Sequence, residues 1–243
     1  MTRLEGFDAV LFDLDGVLTS TADQHFAAWK RMFDEFLRRY GQQRGESPRP
    51  FDRSDYNTYV DGIPRYDGVR NFLASRAIAL EEGSAEDPPA ADTVSGLGNR
   101  KNDLVNDIIS TEGVEVYEGS LGLLRELRKR GVATAVVSSS RNCAMVLRVA
   151  GIEELFDTRV DGEVALELGL PGKPAPDTFL EAARRLQVPP ARAVVVEDAL
   201  LGVQAGRSGG FGLVVGVDRV GQAEALRAHG ADVVVTDLAQ LLD

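Results

Sequence analysis

Apolar residues follow one another along this chain in two rhythms. In the second half they come as short, mainly apolar runs, Ala133 to Val137, Ala193 to Val196 and Leu213 to Val217, with a last strand candidate at Asp232 to Val235. Between them lie segments with helical spacing: Asn142 to Ala150, closed by Gly151, then Asp177 to Leu186 and Leu200 to Ser208. A strand covered by helices on both faces is apolar on both sides, so it reads as a continuous run rather than an alternation. Asp8 to Leu14 has the same character. The pattern predicts an α/β core with a doubly wound parallel sheet, assembled from both ends of the chain.

Between those ends the rhythm is helical only. Ala22 to Arg39 repeats Phe26, Trp29, Phe33 and Leu37 at helical spacing, and Val69 to Ala77 and Asn99 to Ile109 continue it with no strand candidate. An inserted small α-helical cap domain at 20–115 is expected, splitting the core into 1–19 and 116–243. Within the cap, Glu81 to Gly98 is acidic, rich in Pro and Gly, and non-periodic, which reads as a mobile surface loop.

Composition narrows the possible functions. With 243 residues and 44% apolar content the chain can bury a substantial core. A net charge of −11 without a Lys/Arg cluster argues against nucleic acid as a partner. No signal-peptide pattern or run of about 18 apolar residues appears, so a membrane is not expected either. Cys143 has no partner cysteine, which fits a reducing, cytoplasmic setting.

Carboxylates stand where the runs end. Asp13 and Asp15 close the first, Ser138 follows the Ala133 run, and Glu197 and Asp198 follow the Ala193 run. Ligands of parallel α/β sheets bind beyond the carboxyl ends of the strands. Acids converging there repel each other unless a cation lies among them, and oxygen-only donors suit Mg²⁺, which commonly completes its shell with phosphate oxygens. A phosphoryl substrate is therefore expected. Asp13 is placed to attack phosphorus and Asp15 to move the proton, while Lys173, before a helix, offsets negative charge and Ser138 donates to phosphate oxygens. Singly, each feature has a plainer reading: a turn, a helix cap, or a solvated lysine. Their order, each after an apolar run, favours the chemical one.

FDLDGV, VVSSS, KPAPD and VVVEDALLGVQAG resemble, in order, the four motifs of the haloacid dehalogenase superfamily. The resemblance implies a Rossmann-like core, Asp13 as nucleophile, Asp15 as acid and base, and Ser138, Ser139 and Lys173 around the phosphate. It also implies Mg²⁺ held by Asp13, the Asp15 carbonyl and Asp198, with Glu197 in or beside that shell. Asp15 favours the phosphoryl-transfer branch over the dehalogenases. STADQHFAAW, VDGIPRYDGVRNFL and NRKND resemble the β-phosphoglucomutase subgroup. By that likeness Thr21 and His25 lie near the hinge and active site, Arg65 holds a second phosphate, Lys101 reaches toward substrate or Asp15, and Ser140, Arg141 and Asn142 line the distal phosphate pocket.

The expected partner is a small sugar phosphate, the protein acting as a monomer or weak homo-oligomer. Two catalytic readings stand: a mutase converting β-glucose 1-phosphate to glucose 6-phosphate, or a sugar-phosphate phosphatase. A non-catalytic phosphosugar-binding module is a third, against which the intact Asp13 and Asp15 argue.

Overall fold

The computed structural model describes residues 4–242. It divides into two compact units, one running to Thr21 and resuming at Val114, the other spanning Ala22–Gly113. The chain opens with β1 (Ala9–Phe12), fully buried, and two residues shorter at its C-terminal end than its apolar run suggested. Asp13 and Leu14 leave the sheet because the chain turns there: Leu18 and Thr19 both return N–H groups to the Leu14 carbonyl.

The inserted unit is helical: α1 (Ala22–Arg44), α2 (Arg53–Tyr59), α3 (Arg65–Ser75) and α4 (Val94–Glu112). Its core is aromatic, with the Phe33 ring centroid 5.3 Å from Trp29, 5.1 Å from Phe51 and 4.1 Å from Phe72. The α2 helix lacks an apolar stripe long enough to have been expected. It is set by a capping box, in which Asp52 and Asp55 each accept the other's backbone N–H. The buried Asp55 carboxylate also takes Arg49 at 2.9 Å and Arg76 at 2.7 Å.

The Glu81 to Gly98 segment differs from the mobile loop read from its composition. Residues from Val94 onward form the first turns of α4, capped by the Thr93 hydroxyl. The remainder is held by Val94 N–H to the Glu81 carbonyl (3.0 Å) and by the Asn99 side-chain amide to the Asp87 carbonyl (2.9 Å). Gly96 and Gly98 serve close packing here rather than freedom. A Cβ would lie 2.4 Å from the Ala91 carbonyl oxygen at the first and 2.6 Å from the Tyr66 ring at the second.

The other unit continues with α5 (Glu118–Lys129), β2 (Ala133–Val137), α6 (Cys143–Val149), β3 (Thr158–Val160), α7 (Gly162–Leu168), α8 (Asp177–Leu186), β4 (Ala193–Glu197), α9 (Leu200–Ser208), β5 (Leu213–Val217), α10 (Ala223–Ala228) and β6 (Val233–Val235). Among the described residues these strands form one six-stranded parallel sheet in the order β3-β2-β1-β4-β5-β6. This is a Rossmann-like, doubly wound sheet, with β1 and β4 adjacent at the point where the strand order reverses. The three-residue edge strand β3 was too short to stand out as an apolar run. No helix among the described residues is long and apolar enough to cross a membrane.

Candidate active site

The register pairs Phe12 with Val196, so the chain beyond β1 and the end of β4 deliver their acids to one edge. Asp13, Glu197 and Asp198 can each offer a carboxylate oxygen within 4.8 Å of the others. Glycines permit this approach. At Gly16, with φ +81°, a Cβ would sit 1.8 Å from Asp198 Oδ2, and at Gly202 on α9 it would sit 1.9 Å from Glu197 Oε1. Any larger residue at either place would displace a carboxylate.

Lys173 enters from the loop before α8. Its ammonium donates to Asp13 Oδ1 at 2.5 Å and forms an ion pair with Glu197 Oε1, with only 2% of its side chain exposed. Burial acts against the Lys173 charge, but the Asp13 and Glu197 carboxylates outweigh it and hold the ammonium above the ordinary lysine range. Burial raises Glu197 to about 7, against the pull of Lys173. Asp15 accepts from the Thr21 hydroxyl, which contacts the Thr19 hydroxyl at 2.9 Å.

Ser138 is buried at the end of β2, and its Oγ accepts the Ser140 N–H at 3.1 Å; the Ser140 Oγ accepts the Asn142 N–H at the same distance. These successive turns shape the Ser138–Asn142 loop, Ser139 included, beside the acid cluster's sheet edge. Arg141, expected at a distal phosphate, lies 3.7 Å from Glu163.

In the helical unit, Lys101 Nζ is 3.0 Å from His25 Nδ1 and 5.1 Å from the centroid of the Trp29 ring. Burial first, and the Lys101 charge second, lower the His25 pKa well below the usual value. The imidazole is therefore neutral, with Nδ1 accepting and Nε2 protonated. Arg65 is half-buried at the first position of α3, its guanidinium 5.1 Å from the Tyr66 ring centroid.

The donor set suits a hard divalent cation, since it consists of carboxylate oxygens, and Lys173 pairs with two of its three acids. The residues that could hold it are Asp13 and Asp198, with Glu197 adjoining.

Two residues escaped the sequence analysis. Arg219 donates to the Gly16 carbonyl at 2.7 Å, and the Gln222 side chain donates to the Asp198 carbonyl at 3.0 Å. The only signal in the sequence was their place after β5, on the same sheet edge as the acids.

Residues 7–210 match the family described as haloacid dehalogenase-like hydrolases. A β-phosphoglucomutase from Mycobacterium tuberculosis (strain CDC 1551 / Oshkosh) is 54% identical over 238 residues, covering 96% of this chain and 91% of its own. A β-phosphoglucomutase from Bacillus subtilis (strain 168) is 35% identical, with 96% and 91% covered. The solved β-phosphoglucomutase of Clostridium difficile superposes with a TM-score of 0.77 at 26% identity, covering 97% of this chain and 93% of that one. Family match, sheet order and acid cluster agree: this chain is an enzyme of the haloacid dehalogenase-like hydrolase family, within its β-phosphoglucomutase-like subgroup.

Proposed function

We propose that the protein is a Mg²⁺-dependent β-phosphoglucomutase, converting β-glucose 1-phosphate to glucose 6-phosphate through a phosphoaspartate on Asp13. The observation that carries this reading is the buried Asp13 carboxylate, held by Lys173 and grouped with Glu197 and Asp198 where the strand order reverses. The 54% identity to a mycobacterial β-phosphoglucomutase supports the choice of substrate.

An Asp13 carboxylate oxygen attacks phosphorus as the bond from phosphorus to the departing sugar oxygen breaks. The contact with Lys173 fixes the attacking group and prevents it from rotating away. Asp15 protonates the leaving oxygen and later removes the proton from the hydroxyl that takes the phosphoryl group. Thr21, hydrogen-bonded to Asp15, fixes where that proton is exchanged. Ser138 and the N–H groups of its loop bind the phosphoryl oxygens. When bound by Asp13, the Asp15 carbonyl and Asp198, Mg²⁺ supplies positive charge that lowers the repulsion between acids and phosphate.

The mutase must hold a bisphosphate, and Arg65 supplies the guanidinium for its other phosphate. The test is incubation with Mg²⁺, β-glucose 1-phosphate and a trace of glucose 1,6-bisphosphate, following glucose 6-phosphate and free phosphate together. Glucose 6-phosphate in large excess over phosphate is expected. Phosphate as the main product would establish the phosphatase alternative, in which water takes the place of the sugar hydroxyl.

A further inference from the structure

The loop from Asp218 to Gln222, between β5 and α10, is tied to both sides of the acid cluster. Arg219 Nε donates to the Gly16 carbonyl at 2.7 Å, and Nη2 lies 3.4 Å from the Val17 carbonyl. Its remaining nitrogen, Nη1, donates to the Thr236 carbonyl at 3.0 Å, and the guanidinium lies 3.6 Å over the Tyr117 ring. The Val17 carbonyl is held a second time by Ser120 Oγ at 2.7 Å. Gln222 Nε2 grips the other side, donating to the Asp198 carbonyl at 3.0 Å.

The loop itself is stiffened by one carboxylate oxygen. Asp218 Oδ1 accepts N–H groups from Val220, Gly221 and Gln222, at 3.3, 2.7 and 2.8 Å. Between the two gripped carbonyls lies the close contact of Gly16 with Asp198, where there is no room for a Cβ. A single short loop thus sets the spacing between the turn after Asp13 and Asp15 and the residue that follows Glu197.

We propose that Arg219 and Gln222 are positioning residues that hold the turn after Asp15 and the Asp198 backbone at the separation a divalent cation requires, and so set the protein's affinity for that cation. The proposal rests on the reading of Asp13, the Asp15 carbonyl and Asp198 as the cation's ligands. Neither Arg219 nor Gln222 is one of those ligands. Each holds a peptide group next to a ligand, as outer partners of metal ligands do, and loss of such partners commonly weakens binding about 10- to 100-fold. Arg219 suits this role because its planar fork can hold several carbonyls at fixed angles, which an ammonium cannot.

The experiment is calorimetric titration of the full-length protein with MgCl₂ alone, for the wild type, Arg219→Ala, Arg219→Lys and Gln222→Leu. Steady-state turnover as a function of Mg²⁺ is measured alongside. Arg219→Ala is expected to raise the Mg²⁺ Kd by about tenfold or more, with Gln222→Leu in the same direction and Arg219→Lys between Arg219→Ala and wild type. The Mg²⁺ concentration for half-maximal turnover should rise in parallel. A residue that merely stabilised the fold would lower the melting temperature and leave the Mg²⁺ Kd of the folded protein unchanged.

Wild-type affinity in Gln222→Leu and in a natively folded Arg219→Ala, judged by circular dichroism, would overturn the proposal. If Arg219→Ala does not fold, Gln222→Leu decides alone. Mg²⁺ binding by the wild type with no change in the variants rejects the positioning role only. Failure of the wild type to bind Mg²⁺ rejects the ligand assignment and the positioning role together.

Discussion

In the proposed reaction Asp13 combines two demands, since its carboxylate is held by Lys173 and must still be able to attack. Asp13→Asn keeps the volume and removes the attacking charge, so turnover should fall by at least about a thousandfold while circular dichroism stays native. Asp15→Asn should be milder, within the roughly 10²- to 10⁴-fold typical of general acid–base catalysis, and should accumulate acid-stable label on Asp13 when phosphorylated substrate is supplied. His25 gives a residue-level test of a different kind. Its pKa lies well below the usual 6.5, with burial the first cause and Lys101 the second. Below about pH 6.5 the unfolded chain binds a proton at this position that the folded chain does not, so His25 makes the fold less stable as pH falls. Ring ¹⁵N shifts should show His25 neutral from pH 8 to 6, and Lys101→Met should raise its pKa by part of the displacement. The positions of the acids and Ser138 were legible in the sequence because each follows an apolar run, and that of Lys173 because it stands in the loop just before a helix. Arg219 was not, since its partner Gly16 lies 203 residues earlier and only the folded sheet brings them together.

At the scale of elements, apolar runs bounded by clear breaks were legible, down to the three-residue β6. The bounds of β2, β5, α8 and α9 coincide with their apolar patterns. Of the elements not expected, β3 is three residues long and α2 depends on the reciprocal capping of Asp52 and Asp55, whereas α5 does carry helical spacing in its buried Leu123, Leu124 and Leu127 and was passed over, as were the shorter α7 and α10. Composition misled at Gly96 and Gly98, where glycine appears because α4 closely approaches a loop at Ala91 and the Tyr66 ring of α3. The helical unit depends more on aromatic packing than on caps. Phe33 is fully buried against Trp29, Phe51 and Phe72, and Phe33→Ala should cost about 3–5 kcal/mol of that unit's stability. Hydrogen exchange resolved by residue would register the loss on α1, α3 and α4, and unchanged protection there would refute it.

Across the whole molecule, the proposed reaction asks for two phosphate-binding groups, and hydrolysis asks for one. Arg65→Ala should therefore depress glucose 6-phosphate formation much more than phosphate release. The readout is the ratio of phosphate to glucose 6-phosphate, compared for wild type and variant under the same conditions. A rise supports Arg65 as the second group, and equal loss of both products would assign it a structural part. The crossing into and out of the helical unit has a consequence of another kind. Ser20 N–H bonds to the Glu115 carbonyl and Tyr117 N–H to the Leu18 carbonyl, both at 3.0 Å, so the outgoing and returning chains form a two-stranded ribbon through Thr19 and Val116. A ribbon that closes on itself makes the sheet independent of the length and content of whatever hangs beyond it. Evolution can lengthen, shorten or replace that appendage by changes confined to two junctions, leaving the strand order and the acid cluster at its edge unaltered.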